Sequence, residues 1–355
     1  MNNYLFPTTV IGSMPRPKYI KDLVESQSTG ESRHDFHRIM EKAVPYIIQM
    51  QEFAGINILS DGEWRRKSYI GIIADICSGF DLNIRDVDGE RQTWHIVTSK
   101  TKVHNAGQFA REAAFLKSHT NRQIKVALPS PYLIAERMWD QNQSSSAYPT
   151  KRDFIESLIP ILRAELIALR DEGVTIAQFD DPHLCLFVDP KVRAQFEDPD
   201  SEAAYIVDVL NRITDGIYGI KLALHLCRRN KGRLGWVGEG GYAPILSVLN
   251  DLQFDIIMFE FAIPVAGDKR ILLDLSERFE IGLGCVDCRS SHIDTPEEIA
   301  TRVREALKYV APERIILHPD CGFAPGSAAD IPIDEAYQKL RNEVLAAEIL
   351  RSEHR

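Results

Sequence analysis

The sequence has no apolar run approaching the roughly 20 residues needed to cross a bilayer. Its opening stretch, MNNYLFPTTV, lacks a charged segment followed by an apolar one, so a secretory leader is not expected. Low-complexity tracts and an evident linker are also missing. Basic charge is in deficit, with 42 Lys and Arg against 51 Asp and Glu and a net charge of −9. That balance argues against nucleic acid or an anionic membrane as the main partner. Cysteine is scarce, with 6 in 355 residues. In the reducing cytoplasm, the compartment expected here, Cys77, Cys185, Cys227, Cys285, Cys288 and Cys321 read as ligands, nucleophiles or buried apolar groups rather than disulfides. No Gly-rich phosphate loop follows the first apolar run, which weakens the case for a dinucleotide-binding open sheet.

What is present is a repeat of short β-rich runs, most of them followed by helical periodicity. Eight stand out: Thr8–Gly12, Ile56–Ser60, Ile124–Leu128, Thr175–Phe179, Lys221–Leu226, Asp255–Phe259, Glu280–Val286 and Arg314–Leu317. Helices are expected over Arg152–Glu172, Glu202–Gly219, Pro296–Val310 and, as a closing element, Asp334–Arg355. Thr295 before Pro296 supplies an N-cap, a proline at the first helical position and acids in the first turn. Strand–helix alternation implies a parallel sheet, and eight repeats imply an α/β fold closed as a (β/α)8 TIM barrel over residues 1–355. The stretch 65–122 breaks the rhythm. It is polar, hairpin-like around Asp86–Glu90 and alternating in Gln92–Val103, and it predicts an insertion after the second strand over the rim.

The reactive side chains fall at or just past the C-terminal ends of these runs. Ser13, Asp61, Glu63, Asp180, Asp181, His225, Cys227, Glu260, Asp287, Asp320 and Cys321 all do so, and barrel enzymes build their sites at that face. In His225-Leu226-Cys227, positions i and i+2 share a strand face, so imidazole and thiol can meet one ion. With Glu260 and Cys321 they make a chemically sensible zinc set. On spacing alone, two plain buried strand residues are an equal alternative. Cys285 and Cys288 have CxxC spacing, but Cys285 suits a packed strand position better than a redox pair. Arg228-Arg229-Asn230-Lys231 is either an anion-steering or a solvated basic loop. His183 suits a local surface hydrogen bond, and His318 a group that orients Asp320 or the metal.

Thr9-Val10-Ile11-Gly12-Ser13, Asp61-Gly62-Glu63, Phe179-Asp180-Asp181-Pro182, His225-Leu226-Cys227, Gly282-Leu283-Gly284-Cys285-Val286-Asp287 and Pro319-Asp320-Cys321-Gly322 together resemble the cobalamin-independent methionine synthase family. They follow the order of its C-terminal catalytic domain. The resemblance implies zinc ligands His225, Cys227, Glu260 and Cys321. It also implies a homocysteine site made by Ile11, Gly12, Ser13, Glu63 and Asp180, two carboxylates facing an ammonium group. The competing expectation pairs Glu63 and Asp180 with Arg65, Arg66 or other bases. Asp287 and Arg289 are the candidate catalytic residues, although Arg289 stands near where the family often has a histidine proton donor. An arginine does not shuttle protons near neutral pH and suits clamping an anion instead.

The folate-binding pattern also departs. No Trp follows Leu128-Pro129-Ser130-Pro131, and Leu186 stands where an acid is expected. The expected activity is therefore zinc-dependent alkyl transfer to a thiol, most simply methyl transfer to homocysteine from a corrinoid or a methyl-donor protein. Opening of an epoxide by zinc-activated coenzyme M is the alternative, favoured if Arg16, Arg228 or Arg289 binds a sulfonate. A non-catalytic zinc-binding subunit is the alternative of another class.

Overall fold

Seven of the eight apolar runs, buried almost throughout, form one parallel sheet. The computed structural model describes residues 5–26, 33–87, 90–324 and 331–354. The strands are β1 (Ile58–Leu59), β2 (Cys77–Val87), β3 (Glu90–Val103), β4 (Gln123–Pro129), β5 (Ile176–Asp180), β6 (Lys221–His225), β7 (Ile256–Glu260), β8 (Glu280–Val286) and β9 (Ile315–Pro319). The sheet runs β1-β4-β5-β6-β7-β8-β9, while β2 and β3 pair antiparallel as a separate hairpin. The eighth run, Thr8–Gly12, forms no named strand. It contributes two parallel bridges, Thr8 to Leu317 at one edge of the sheet and Thr9 to Ile58 at the other.

The sheet is curled, and its two faces carry different cores. One apolar cluster joins Ile11, Ile58, Ile176, Ala223, Ile256, Met258 and Ile316, drawn from both edges and the middle. Residues from opposite edges meet only if the sheet wraps around them. The alternate positions, such as Leu59, Ala177, Leu224, Ile257, Leu283 and Leu317, belong to the main core with the helices. The period of two along a strand then fixes the site. Asp180 continues the inward series of Ile176 and Gln178, His225 that of Ala223, and Glu260 that of Ile256 and Met258. The register sets Asp180 opposite His225 and His225 opposite Met258, so Glu260 stands two residues further toward the C-terminal end.

Local chemistry accounts for the helices. Lys151–Glu172 starts at a capping box of Thr150 and Asp153 and ends at Gly173, whose φ is +83°. Pro296–Ala306 starts at the expected Thr295 cap, with Glu298 closing the box, but stops short of Val310. The helix expected over Glu202–Gly219 instead spans Pro199–Thr214, because Asp198 caps Ser201 and Pro199 takes the first helical position. The closing helix is Ile333–Glu353, and Arg355 lies outside the described residues.

The hairpin pairs Val87 with Glu90, and its turn residues 88–89 also lie outside the described residues. The helix that follows, Gln108–Lys117, has no cap of its own at Gly107. Glu165 supplies one from a different helix, accepting from the Gly107 and Phe109 amides at 2.5 and 3.2 Å. No helix among the described residues is long and apolar enough to cross a membrane.

Candidate functional site

Four side chains predicted to share a cation converge at the C-terminal ends of the sheet. One nitrogen of His225, the Cys227 and Cys321 sulfurs and one Glu260 oxygen all lie within 4.8 Å of one another. The two sulfurs are 3.5 Å apart and unbonded. His225 is buried with neither ring nitrogen hydrogen-bonded, and the buried Glu260 Oε2 also lacks a partner. Buried polar atoms in native proteins are nearly always satisfied, so an imidazole and a carboxylate oxygen left idle beside two thiols form a donor set that could hold a cation. Burial, then His318 and Lys125, hold the His225 pKa well below its ordinary value, leaving the neutral ring that coordinates metal. The Cys227 sulfur and burial push the Cys321 thiol well up, so a cation there displaces a proton.

The surroundings of this cluster were only partly legible. Arg289 Nη2 donates to Glu260 Oε1 at 2.7 Å, and its Nη1 lies 3.5 Å from Asp320 Oδ2. Asp287 Oδ1 accepts from the Arg289 amide at 2.8 Å, so the two candidate catalytic residues form one turn. Arg228 belongs to neither a steering nor a solvated loop. It is fully buried over the Tyr242 ring, with Nε 3.8 Å from Glu260 Oε2. Tyr242 itself fixes Glu260 by accepting its amide and donating to its carbonyl. His318 meets the His225 ring edge-on at 6.4 Å and bonds Pro319 O, not Asp320. Cys285 is a packed strand residue, as expected, and Cys288 is equally buried. His183 has no surface hydrogen bond at Nε2, and burial pushes its pKa down to about 3.

The second group of predicted residues lines the same end of the sheet. Glu63 sits in a tight turn with φ of +58°, its amide held by Asp61 Oδ1 at 2.9 Å. A non-glycine residue there is strained by about 1–3 kcal/mol, which the surrounding contacts must hold. Its carboxylate lies so close to Gly12 that a Cβ at Gly12 would fall 2.3 Å from Oε1. Ser13 stands against Gly322 in the same way, next to Cys321, and its carbonyl accepts from the Phe323 amide at 2.8 Å.

Arg66 does not pair with Glu63 or Asp180. It forms a buried bridge with Glu112 at 2.8 Å and donates to Ala127 O. Asp180 accepts from Gln178 Nε2 at 2.6 Å, and Gln178 accepts in turn from the buried Lys125 ammonium at 2.5 Å. Burial raises Glu63 to about 7 and Asp180 to about 6, and it lowers Lys125 to about 7. Two buried carboxylates that form no ion pair with arginine among the described residues can receive a ligand ammonium.

Lys125, Gln178, Glu112 and Tyr242 escaped sequence reasoning. Lys125 and Gln178 carried the one signal available, as polar residues inside apolar strand runs. A family profile described as cobalamin-independent synthase, catalytic domain, matches residues 6–349. A methionine synthase from Pyrococcus abyssi is 31% identical over 358 residues, covering 98% of this chain and 94% of the relative. One from Sulfurisphaera tokodaii is 29% identical over 359 residues with the same coverages. The solved structure of a B12-independent methionine synthase from Shewanella sp. W3-18-1, in complex with selenomethionine, matches with a TM-score of 0.80 over 99% of both chains at 24% identity, a likeness of fold. The chain therefore belongs to the cobalamin-independent methionine synthase family, and it is a methyltransferase.

Proposed function

We propose that this protein transfers a methyl group to the sulfur of homocysteine, forming methionine, at a zinc site held by His225, Cys227, Glu260 and Cys321. The observation that carries the reading is the convergence of those four donors within 4.8 Å, with both His225 nitrogens and a Glu260 oxygen otherwise idle. Two thiols, an imidazole and a carboxylate are a borderline-soft set suited to zinc. Bound there, zinc supplies a Lewis acid that keeps a substrate thiol deprotonated yet nucleophilic near neutral pH.

The chain's own residues do the rest. Glu63 and Asp180 receive the acceptor's ammonium, with Gln178 and Lys125 holding Asp180 in place. The Ile11–Ser13 segment lines the other side, where Gly12 leaves room for Glu63. The thiolate then attacks the methyl carbon. A sulfur–carbon bond forms as the bond to the donor breaks, and that electron pair leaves with the donor. Asp287 and Arg289 act as positioning groups in this scheme, since Arg289 is committed to Glu260 and Asp320. The selenomethionine complex of the Shewanella relative supports an amino-acid product of this class.

We take the donor to be a corrinoid-borne methyl group, free or on a donor protein. Leu186 is buried at the position where a folate-binding acid was expected and packs against Gly238, which favours a donor other than folate. A sulfonate-bearing thiol is disfavoured because its candidate arginines are turned toward carbonyls and acids of the protein itself. Arg16 donates to the Glu63 and Arg66 carbonyls, and Arg228 and Arg289 face Glu260. We also take Thr8–Gly12 as the eighth position of a closed (β/α)8 barrel, supported by its bridges to both sheet edges. Residues 1–355 are then one domain, with 65–122 an insertion over the rim.

Zinc-loaded protein given homocysteine and methylcobalamin should form methionine, and methyltetrahydrofolate should not replace the corrinoid. Methionine made from the folate would overturn the donor assignment. Preferential binding of coenzyme M over homocysteine would overturn the acceptor.

A further inference from the structure

Lys125 stands on β4 opposite Ile176 in register, so it shares the inward face of that residue. It is 1% exposed, and its ammonium donates to two neutral groups, Val10 O and, at 2.5 Å, Gln178 Oε1. A buried lysine is rarely left without an acid in contact. Here the acid whose charge it feels most is Asp180, one hydrogen bond further on.

Gln178 is fully buried between the two. An ammonium has donors only, so the amide turns its oxygen to Lys125 and its nitrogen to Asp180, where Nε2 donates to Oδ1 at 2.6 Å. Two N–H groups are enough for both Lys125 contacts, so this orientation does not depend on the third proton of the ammonium. The spacing matters for Asp180. A lysine in direct contact would take the carboxylate for itself and compete with a ligand ammonium. Held one amide away, it supports the acid without an ion pair that an incoming ammonium would have to break.

The same ammonium ties a second wall of the pocket. Among the described residues, the Thr8–Gly12 run bridges the sheet at Thr8 and Thr9 and not beyond. Past them the Val10 carbonyl is held by Lys125 and by the Thr9 hydroxyl at 3.2 Å, immediately before Ile11.

We propose that Lys125 sets the selectivity of the acceptor site for an amine-bearing thiol. Through Gln178 it fixes the carboxylate that meets the amino group, and through Val10 it fixes the segment that lines the other side. It is a positioning residue, since it acts through these two groups. The proposal rests on the acceptor reading given above. It goes beyond that reading by naming what makes the amino group, rather than the thiol alone, the feature recognised.

The test is calorimetric binding of homocysteine and of γ-mercaptobutyrate, the same thiol acid without its amino group, to the zinc-loaded protein. The unaltered protein should bind homocysteine at least about tenfold more tightly, the worth of one charge-assisted hydrogen bond. In K125M homocysteine should weaken by about tenfold while γ-mercaptobutyrate changes by less than about twofold, with zinc content unchanged. Q178L leaves Lys125 in place and removes the spacer, so it should show the same loss, and it serves if K125M does not fold. The double variant should be no worse than either single one, because both act on one chain of contacts. A folded K125M or Q178L that keeps the preference, or that weakens both thiols alike, would overturn the role given to Lys125 and leave the acceptor reading intact. An unaltered protein with no preference for the amino group would overturn the acceptor reading itself.

Discussion

In the proposed reading Asp180 serves the amino acid and Cys227 the ion. Cys227→Ser and Cys321→Ser should each lower zinc content and abolish methyl transfer with an unchanged circular-dichroism spectrum; full zinc in either variant would remove that residue from the site. Asp180→Asn should weaken homocysteine binding by about 10- to 100-fold, the worth of one charge-assisted hydrogen bond, with little change in zinc. The opposite pattern, zinc lost and acceptor affinity kept, would mean that the pocket is misplaced.

Proton linkage gives a further residue-scale test. Burial raises Glu63 to about 7 and Asp180 to about 6, so the free fold favours their neutral forms. Their contribution to stability is complete below the ordinary carboxylate range and is lost as pH rises through those values. Acceptor binding has the opposite sign, because the ammonium needs them ionised. The thermal stabilisation produced by homocysteine should therefore grow from pH 6 to pH 8, and a shift independent of pH would contradict the pairing.

These residues could be nominated from sequence because each sits in a short motif at a strand end. Arg228 was misjudged because a run of basic residues gives no sign of which member turns inward. Gln178 and Lys125 were missed because polar groups at inward strand positions look like interruptions of an apolar pattern.

At the scale of elements, the chain follows its punctuation. Thr295 and Glu298 form the reciprocal cap that their spacing implied. Thr295→Ala should cost about 1 kcal/mol and lower Tm by about 1–2 °C without affecting activity. An unchanged Tm would mean that the cap contributes nothing. Gly284 is required for a different reason, since a Cβ there would fall 2.5 Å from both Phe259 O and Asp320 Oδ1. Gly284→Ala should destabilise by about 2 kcal/mol or more, by pushing β8 away from β7 and displacing Asp320 from its place beside Arg289. Denaturant unfolding measures this directly.

Seven strands were recovered within a few residues because each is a buried run bounded by polar turns. The helix ends at Thr214 and Ala306 were overextended because apolar residues continue beyond the last hydrogen-bonded turn. The cap that Glu165 lends to Gly107 joins residues 58 apart, and no local signal reveals it.

On the scale of the whole molecule, the curled sheet brings together motifs spread from Ile11 to Cys321. The position of the reactive residues just past each apolar run was enough to say that they share one end of the sheet. The inner cluster of Ile11, Ile58, Ile176 and Ile316 explains how, because it draws both edges around a common centre. What sequence could not supply was the balance of charge inside that centre. There Arg66 is taken by Glu112, Lys125 is tied to Gln178, and Arg289 and Arg228 face Glu260. Those pairings leave Glu63 and Asp180 without an arginine ion pair among the described residues, and they tie Glu260 to Arg289 while the His225 nitrogens stay unbonded.

X-ray absorption at the zinc edge, before and after homocysteine, tests this arrangement most directly. The account predicts one zinc per chain, bound by two sulfurs, one imidazole nitrogen and one oxygen, with the oxygen replaced by a third sulfur when homocysteine is added. Zinc whose ligands do not change on adding homocysteine, or a protein that binds no zinc, would contradict it.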